Sequence, residues 1–178
     1  MRLILKVLLL STTLSNASLA EGTYTPKPLP AHLQDCVDAA IRDLALSDGK
    51  RDTIEKLFNK HVDRNGLGYR VWKRAWANGT KKWRAKAIEL YIDTLMLVAK
   101  DAKAGATVIR VDSRLADHAE RGANNGNGLW QIAFSAHLSD GRIVSAGALV
   151  TDQCKAVEFI HGTWVGRQIP AALVDAQL

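Results

Sequence analysis

Acidic side chains and histidines come close together at two places in the sequence, and chemistry could begin at either of them. His61 and Asp63 are two residues apart, and a second group follows further along the chain. The second group consists of Asp112, Asp117, His118 and Glu120. Carboxylates beside a histidine can exchange protons or bind a hard metal ion. Side chains of these types between two elements are more often simply solvated, so we predict no metal site, no cofactor and no enzymatic activity.

The sequence motifs typical of catalysis are missing from this chain. It contains no Gly-x-Ser-x-Gly and no His-Glu-x-x-His. The stretch 122–128 is rich in glycine, but it lacks the spacing and the lysine of a phosphate-binding loop. We therefore interpret residues 120–128 as a polar, turn-forming loop.

Residues 69–86 are the most informative segment, because they hold seven basic residues and no acidic one. Tyr69, Trp72, Trp76 and Trp83 are interleaved with these cations. Such a composition suits nucleic acid, where cations bind phosphates and rings stack on bases, and it equally suits an anionic lipid surface. The alternative is that the tryptophans, spaced by four and seven residues, form a core face while the cations are solvated. Both interpretations stay open at this point.

Length and composition restrict the class of protein. The chain has 178 residues, of which 47% are hydrophobic and 24% charged, and its 24 basic and 18 acidic residues give a formal charge of +6. Disordered chains are less apolar, collagens contain far more glycine and proline, and two cysteines are too few for a disulfide scaffold. The length fits one domain with a hydrophobic core of its own.

The first twenty residues have the pattern of a secretory signal. Arg2 and Lys6 precede an apolar run, and the segment ends in Ser18-Leu19-Ala20. A membrane anchor is the alternative, but polar residues interrupt the run, and a span needs about 20 predominantly apolar residues. We expect cleavage near Ala20 and export to the periplasm, which makes nucleic acid an improbable partner. The remaining chain, without Arg2 and Lys6, has 22 basic and 18 acidic residues and a charge of +4.

Export also changes the interpretation of the two cysteines, because thiols in an oxidising compartment tend to pair. Cys36 and Cys154 would close a loop of more than a hundred residues. The chain-entropy model gives such a bridge a stabilisation of about 4 to 5 kcal/mol. Two separate buried thiols are the alternative, and we expect the disulfide.

Hydrophobic periodicity predicts helices in the first half of the chain and strands in the second. We predict helices over about 33–44, 54–62, 67–77 and 83–99, the last capped by Thr80. Strands follow over about 107–111, 130–138 and 142–150, the last two joined by Ser139-Asp140-Gly141, and 156–165 could be a strand or a short helix. This order predicts an α+β fold, with N-terminal helices packed on one face of a mainly antiparallel, curved β-sheet. The expected organisation is a signal peptide (1–20), an extended leader (21–32), one ligand-binding domain (33–170) and a C-terminal tail (171–178).

The stretch 67–91 resembles the MlaC-like proteins, which are exported bacterial phospholipid-binding proteins also described as toluene-tolerance auxiliary components. That family has a Leu-Gly, an aromatic Trp-Arg, a short turn and a long helix that opens with an aromatic residue. The matching positions are Leu67-Gly68, Trp72, Arg74, Ala75, Trp83 and Leu90-Tyr91, with Trp83 in place of the usual Phe. The resemblance covers roughly residues 34–165.

The resemblance and the surplus of apolar side chains together favour a lipid carrier. It would bind phospholipid acyl chains in an apolar cavity, without a cofactor, and exchange them with membrane-associated transport components as a monomer. The residues assigned to lipid binding are Trp72, Trp76, Trp83, Tyr91, Leu95, Trp130, Ile132 and Phe134. The residues assigned to docking are Arg70, Lys73, Arg74, Lys81 and Lys82. The alternative is an exported, non-enzymatic interaction protein with a fully packed core, which docks an acidic partner through this basic face.

Overall fold

The computed structural model describes residues 28–45, 47, 49–116 and 128–178. The predicted signal peptide and most of the leader lie outside these residues, and so do Asp117, His118 and Glu120. In the described part, helices come first and a curved antiparallel sheet follows, so the predicted α+β fold is confirmed. No helix in these ranges has the length and apolar character needed to cross a membrane.

Five helices precede the sheet in the part of the chain that the structure describes. They are α1 (Ala31–Ala45), α2 (Arg51–His61), α3 (Arg64–Trp72), α4 (Arg74–Asn78) and α5 (Lys81–Lys103). The predicted cap of the long helix is confirmed, because the Thr80 hydroxyl accepts a hydrogen bond from the Trp83 amide at 3.1 Å. The third helix, predicted to begin at about residue 67, begins earlier and includes Asn65 and Gly66. Asp63 caps this helix by accepting the Asn65 amide at 3.0 Å.

The sheet is an antiparallel meander of five strands in chain order. Its strands are β1 (Val108–Leu115), β2 (Leu129–Leu138), β3 (Ile143–Thr151), β4 (Ala156–His161) and β5 (Thr163–Trp164). The predicted β2–β3 hairpin is confirmed, and Gly141 in its turn has a φ of 84°, which glycine adopts without steric cost. The Arg142 guanidinium in this hairpin donates to the Lys103 carbonyl at 2.7 Å, which fixes the end of α5 to the sheet.

Two clusters of buried side chains hold these elements together. In the first, α1 packs Val37 onto Ile132, Ala148 and Val150 of the sheet. The second joins α2, α3, α4 and α5 to β4 and to the C-terminal segment. Phe159 of β4 packs against both clusters, so the two halves of the core meet at this strand.

A disulfide between Cys36 and Cys154 ties α1 to the turn between β3 and β4. The Cα atoms of the two residues are 6.3 Å apart, a distance usual for a bridge, and the expected pairing is present. A polar contact holds the other end of α1, where Asp43 accepts from Lys60 and His61 of α2, both at 2.7 Å. These hydrogen bonds lower the pKa of Asp43.

The expected C-terminal tail (171–178) is not a tail, because the chain stays ordered and packed beyond Pro170. A 3-10 helix (Val165–Gln168) follows β5, and α6 (Ala171–Asp175) follows it. Val174 in α6 is fully buried in the second cluster. The Trp83 indole donates to the Asp175 carboxylate at 2.7 Å, so α6 covers the first turn of α5.

Deletion of residues 171–178 should therefore lower the free energy of unfolding by about 3 kcal/mol. Loss of the buried Val174 side chain accounts for most of this, and loss of the Trp83–Asp175 hydrogen bond for the rest. Urea unfolding followed by circular dichroism measures the change. Removal of only Gln177 and Leu178 is the control, since it leaves α6 intact and should have little effect. Equal midpoints for the two truncations would contradict the structural role of α6.

Candidate functional site

The three tryptophans of the basic segment are side chains of the core. Trp72, Trp76 and Trp83 are 6%, 3% and 7% exposed. The rings of Trp72 and Trp76 are stacked, with centroids 5.8 Å apart and an interplanar angle of 16°. The Trp83 ring stands edge-on to Trp72 at 6.0 Å. Of the two sequence interpretations, this packing favours the core role, because all three rings are buried and Trp72 packs against both of the others.

The hydrogen bonds of the indoles also support a core role for the tryptophans. The Trp72 Nε1 donates to the Ile169 carbonyl at 2.8 Å, and Trp83 is bonded to Asp175. The Arg84 guanidinium lies 5.6 Å from the centre of the Trp76 ring and donates to the Trp76 carbonyl at 2.9 Å. Arg84 therefore covers one side of the aromatic cluster and satisfies a carbonyl near the end of α4, so its role is structural.

The remaining residues assigned to lipid binding are divided between the two clusters. Tyr91 is fully buried beside Trp72 and Phe58, and Leu95 packs against the same cluster. Ile132 and Phe134 belong to the cluster under α1. Trp130 is partly exposed, where its indole donates to Asp152 and its ring meets His32 edge-on at 6.0 Å. The assigned residues therefore do not converge on one site.

A buried carboxylate that the sequence did not single out lies behind the tryptophans. Glu158 of β4 is only 4% exposed. Its Oε1 accepts from the Tyr91 hydroxyl at 2.6 Å and from the Gly166 amide at 3.3 Å. Burial raises the pKa of Tyr91, and the charge and hydrogen bond of Glu158 raise it further. Tyr91 therefore remains a neutral donor and ties α5 to β4 and the 3-10 helix.

Substitution of Tyr91 by phenylalanine should lower the free energy of unfolding by about 2 to 3 kcal/mol, because it removes a hydrogen bond to a buried charge. Chemical denaturation measures the loss. Tyr69→Phe is the matched control, since the Tyr69 side chain is 56% exposed and should tolerate the change. The double variant Tyr91→Phe with Glu158→Gln should recover part of the loss, because it also removes the charge. Equal stability of the two single variants would contradict this role for the pair.

The cations assigned to docking all lie on the surface. Arg70, Lys73, Arg74, Lys81 and Lys82 are exposed and follow one another along α3, α4 and the start of α5. We call these residues the basic face. Lys82 donates to the Leu178 carbonyl oxygen at 3.2 Å, so the C-terminus lies at one end of the face.

A shallow groove of about 430 Å³ opens at the other end of the basic face. It lies between α3 and the ends of strands β2, β3 and β4. The lining side chains are both charged and apolar, and Tyr69 adds an exposed aromatic ring. The lining residues are Asp63, Gly66, Tyr69, Arg70, Lys73, Leu129, Thr151 and Val157. Sequence reasoning identified Arg70 and Lys73 but not the strand residues, which approach α3 only in the fold.

The acidic and histidine groups show no catalytic geometry in the described residues. Asp112 is exposed, and its carboxylate lies 2.7 Å from His137 and 2.9 Å from Arg110. The bond from His137 and the charge of Arg110 lower the pKa of Asp112. His61 pairs with Asp43 while Asp63 caps α3, so these two do not act together. The described ranges contain no group of three or more His, Cys, Asp or Glu residues that could hold a metal ion.

No family model matches the sequence, and no curated protein matches it. The resemblance of residues 67–91 to the MlaC-like proteins therefore stays a prediction.

Proposed function

We propose that this is an exported, non-enzymatic interaction protein that docks an acidic protein partner through its basic face. One observation carries the proposal. Within residues 69–86 the tryptophans pack on one another in the core, whereas the cations at positions 70, 73, 74, 81 and 82 are exposed. The segment therefore offers a positively charged surface on a rigid aromatic support.

The lipid-carrier hypothesis has less support from the same residues. A carrier of the expected type needs Trp72, Trp76 and Trp83 beside a cavity that can hold acyl chains. Their rings contact each other, and two of their indoles are bonded to Ile169 and Asp175. The groove beside α3 is open and partly charged, which suits a polar ligand better than an acyl chain. Lipid transport is supported mainly by the resemblance of residues 67–91 to the MlaC-like proteins.

Electrostatics support a docking role for the face. Residues 69–86 carry seven basic side chains and no acidic one, so the segment itself contributes only positive charge to this surface. Complementary charge raises the rate of encounter with an acidic protein and weakens steeply as salt is added. A disulfide and a signal-like N-terminus support export as the setting for this partner.

Charge reversal tests the proposal. Arg74→Glu with Lys81→Glu should abolish retention on immobilised polyglutamate at low salt. Lys56→Glu with Lys100→Glu reverses the same number of exposed cations on α2 and the later part of α5, and should leave most of the retention. Equal loss in both double variants would show that only net charge matters and would refute a defined face.

Native mass spectrometry of the purified protein tests the competing hypothesis. We expect the mass of the polypeptide alone, beginning near Glu21 if the signal is cleaved. A co-purified phospholipid that survives gentle ionisation would instead favour the carrier and count against docking as the main function.

A further inference from the structure

The groove beside α3 is built from residues that recur along one side of that helix. Gly66, Arg70 and Lys73 are spaced by four and three residues, so they follow one face of α3. The helix begins beside β4, because the Asp63 amide donates to the Ala156 carbonyl at 2.9 Å. Gly66 lies close to the sheet, because an added Cβ would be 2.5 Å from Asp63 Oδ2 and 2.8 Å from the Val157 side chain. The helix backbone can therefore approach the strands, and the groove runs along the contact.

Lys73 has a backbone conformation that is unusual for a lysine. Its φ of 48° and ψ of −114° place it near the first central position of a type II′ turn, which favours glycine. Ala104, by comparison, has an ordinary left-handed conformation with a φ of 44° and a ψ of 45°. The break at position 73 separates α3 from α4 and allows Trp72 and Trp76 to stack. Glycine would adopt this conformation with less strain. The backbone conformation alone therefore does not explain why a lysine is present at position 73.

Strained residues of this kind persist only where the surrounding structure holds them, and they are concentrated at active sites, ligand clamps and switch regions. The Lys73 side chain is exposed and lines the groove together with Arg70 and Tyr69. We therefore consider its ammonium group as a ligand contact.

The charges that line the groove have opposite signs at its two ends. Asp63 is at the start of α3, and Arg70 and Lys73 are at its end. Seven residues separate Asp63 from Arg70, which corresponds to about 10 Å along the helix axis. A uniform polyanion would meet repulsion at Asp63, whereas a chain with separated charges of both signs would match both ends. Leu129 and Val157 add apolar side chains to the lining of the groove.

We propose that this groove binds a short peptide segment of the acidic partner, with carboxylates at Arg70 and Lys73 and a cationic residue at Asp63. Lys73 is retained at a strained position because it contacts this ligand. The inference rests on the proposed docking function and specifies where on the basic face the partner is anchored.

Binding of three fluorescein-labelled eight-residue peptides, measured by anisotropy, tests the groove. The first peptide has two glutamates at one end and two lysines at the other, the second has the same composition with the charges alternating, and the third is octaglutamate. We expect the first peptide to bind about fivefold or more tightly than the other two, because only its charges match the groove. Equal or tighter binding of octaglutamate, or no binding of the first peptide, would overturn the proposal.

Substitutions at Lys73 separate the ligand contact from backbone strain. Lys73→Ala and Lys73→Gly should both weaken binding of the first peptide about tenfold, and Lys73→Arg should keep it within about twofold. Only Lys73→Gly should raise the melting temperature, by about 3 °C or more, because it alone relieves the strain. Unchanged peptide binding in the alanine and glycine variants would refute a ligand role for Lys73.

The failure of this inference can be told apart from the failure of the proposed function. In one outcome, Lys73→Ala binds the peptides normally while Arg74→Glu with Lys81→Glu loses polyglutamate retention. That result would support docking through the basic face and refute peptide binding in the groove. If the protein prefers phosphatidylglycerol vesicles to every peptide, a lipid surface replaces the peptide partner and both proposals fail.

Discussion

Replacement of Gly68 by alanine should destabilise the protein by about 3 kcal/mol, although alanine normally favours a helix. Gly68 is buried in α3, and the Trp76 ring lies flat against its backbone. A Cβ built on Gly68 would be 2.1 Å from two atoms of that ring, well inside van der Waals contact. The ring cannot easily move away, because Trp72 stacks on it and Arg84 covers it. The extra methyl group must therefore displace α3 or the tryptophan cluster.

Guanidinium unfolding followed by tryptophan fluorescence measures this effect. Asn65→Ala is the matched control, because Asn65 is exposed in the same helix and alanine should be neutral or slightly stabilising there. Near-ultraviolet circular dichroism adds a second measurement, since displacement of Trp76 changes its stacking with Trp72. If Gly68→Ala and Asn65→Ala unfold at the same midpoint, the close approach of Trp76 to α3 is incorrect.

The periodic and local features of the fold could be predicted from the sequence. The long helix α5, its cap at Thr80 and the turn glycine at position 141 each depend on a few neighbouring residues, and each is confirmed. The disulfide could be predicted from the expected export and the number of cysteines, although its geometry could not be judged. Helix and hairpin signals are short-range, which explains why these predictions hold.

The environment of the tryptophans could not be predicted, because spacing places residues on one helix face without indicating what covers it. The covering elements are the 3-10 helix and α6, which lie some ninety residues further along the chain. The five residues of α6 follow Pro170 and are too few for a clear periodic signal. The sequence therefore suggested a ligand cavity where the chain supplies its own C-terminal segment.

Glu158 and the groove could not be predicted for the same reason, because each depends on contacts between residues that are far apart in the sequence. A glutamate between Val157 and Phe159 in an apolar strand is the one local sign of a buried polar contact, but its partner Tyr91 is 67 residues away. The groove similarly combines one face of α3 with residues from three strands. Its charged residues could be identified from the sequence. Only the fold shows that Asp63 lies in the same groove as Arg70 and Lys73, at its other end.

Loss of the disulfide should have the largest effect on stability, about 4 to 5 kcal/mol in the chain-entropy model. Cys36 and Cys154 are 118 positions apart, so the bridge restricts nearly the whole unfolded domain. Such a loss is a large fraction of the 5 to 15 kcal/mol that usually stabilises a folded protein. Urea unfolding with and without a thiol reductant measures it, and the reduced protein should unfold at a clearly lower concentration.

The double variant Cys36→Ser with Cys154→Ser distinguishes loss of the bridge from other effects of the reductant. It should unfold like the reduced wild-type protein and should not respond to the reductant. We expect α1 to separate first, because without the bridge it is held by the Asp43 contacts and by the smaller cluster, which includes Val37 and Ile41. Hydrogen exchange should then rise in α1 before it rises in α5, whose buried face joins the larger cluster. Equal midpoints for oxidised and reduced protein would mean that the bridge does not stabilise the fold, and uniform exchange would mean that α1 does not depend on it.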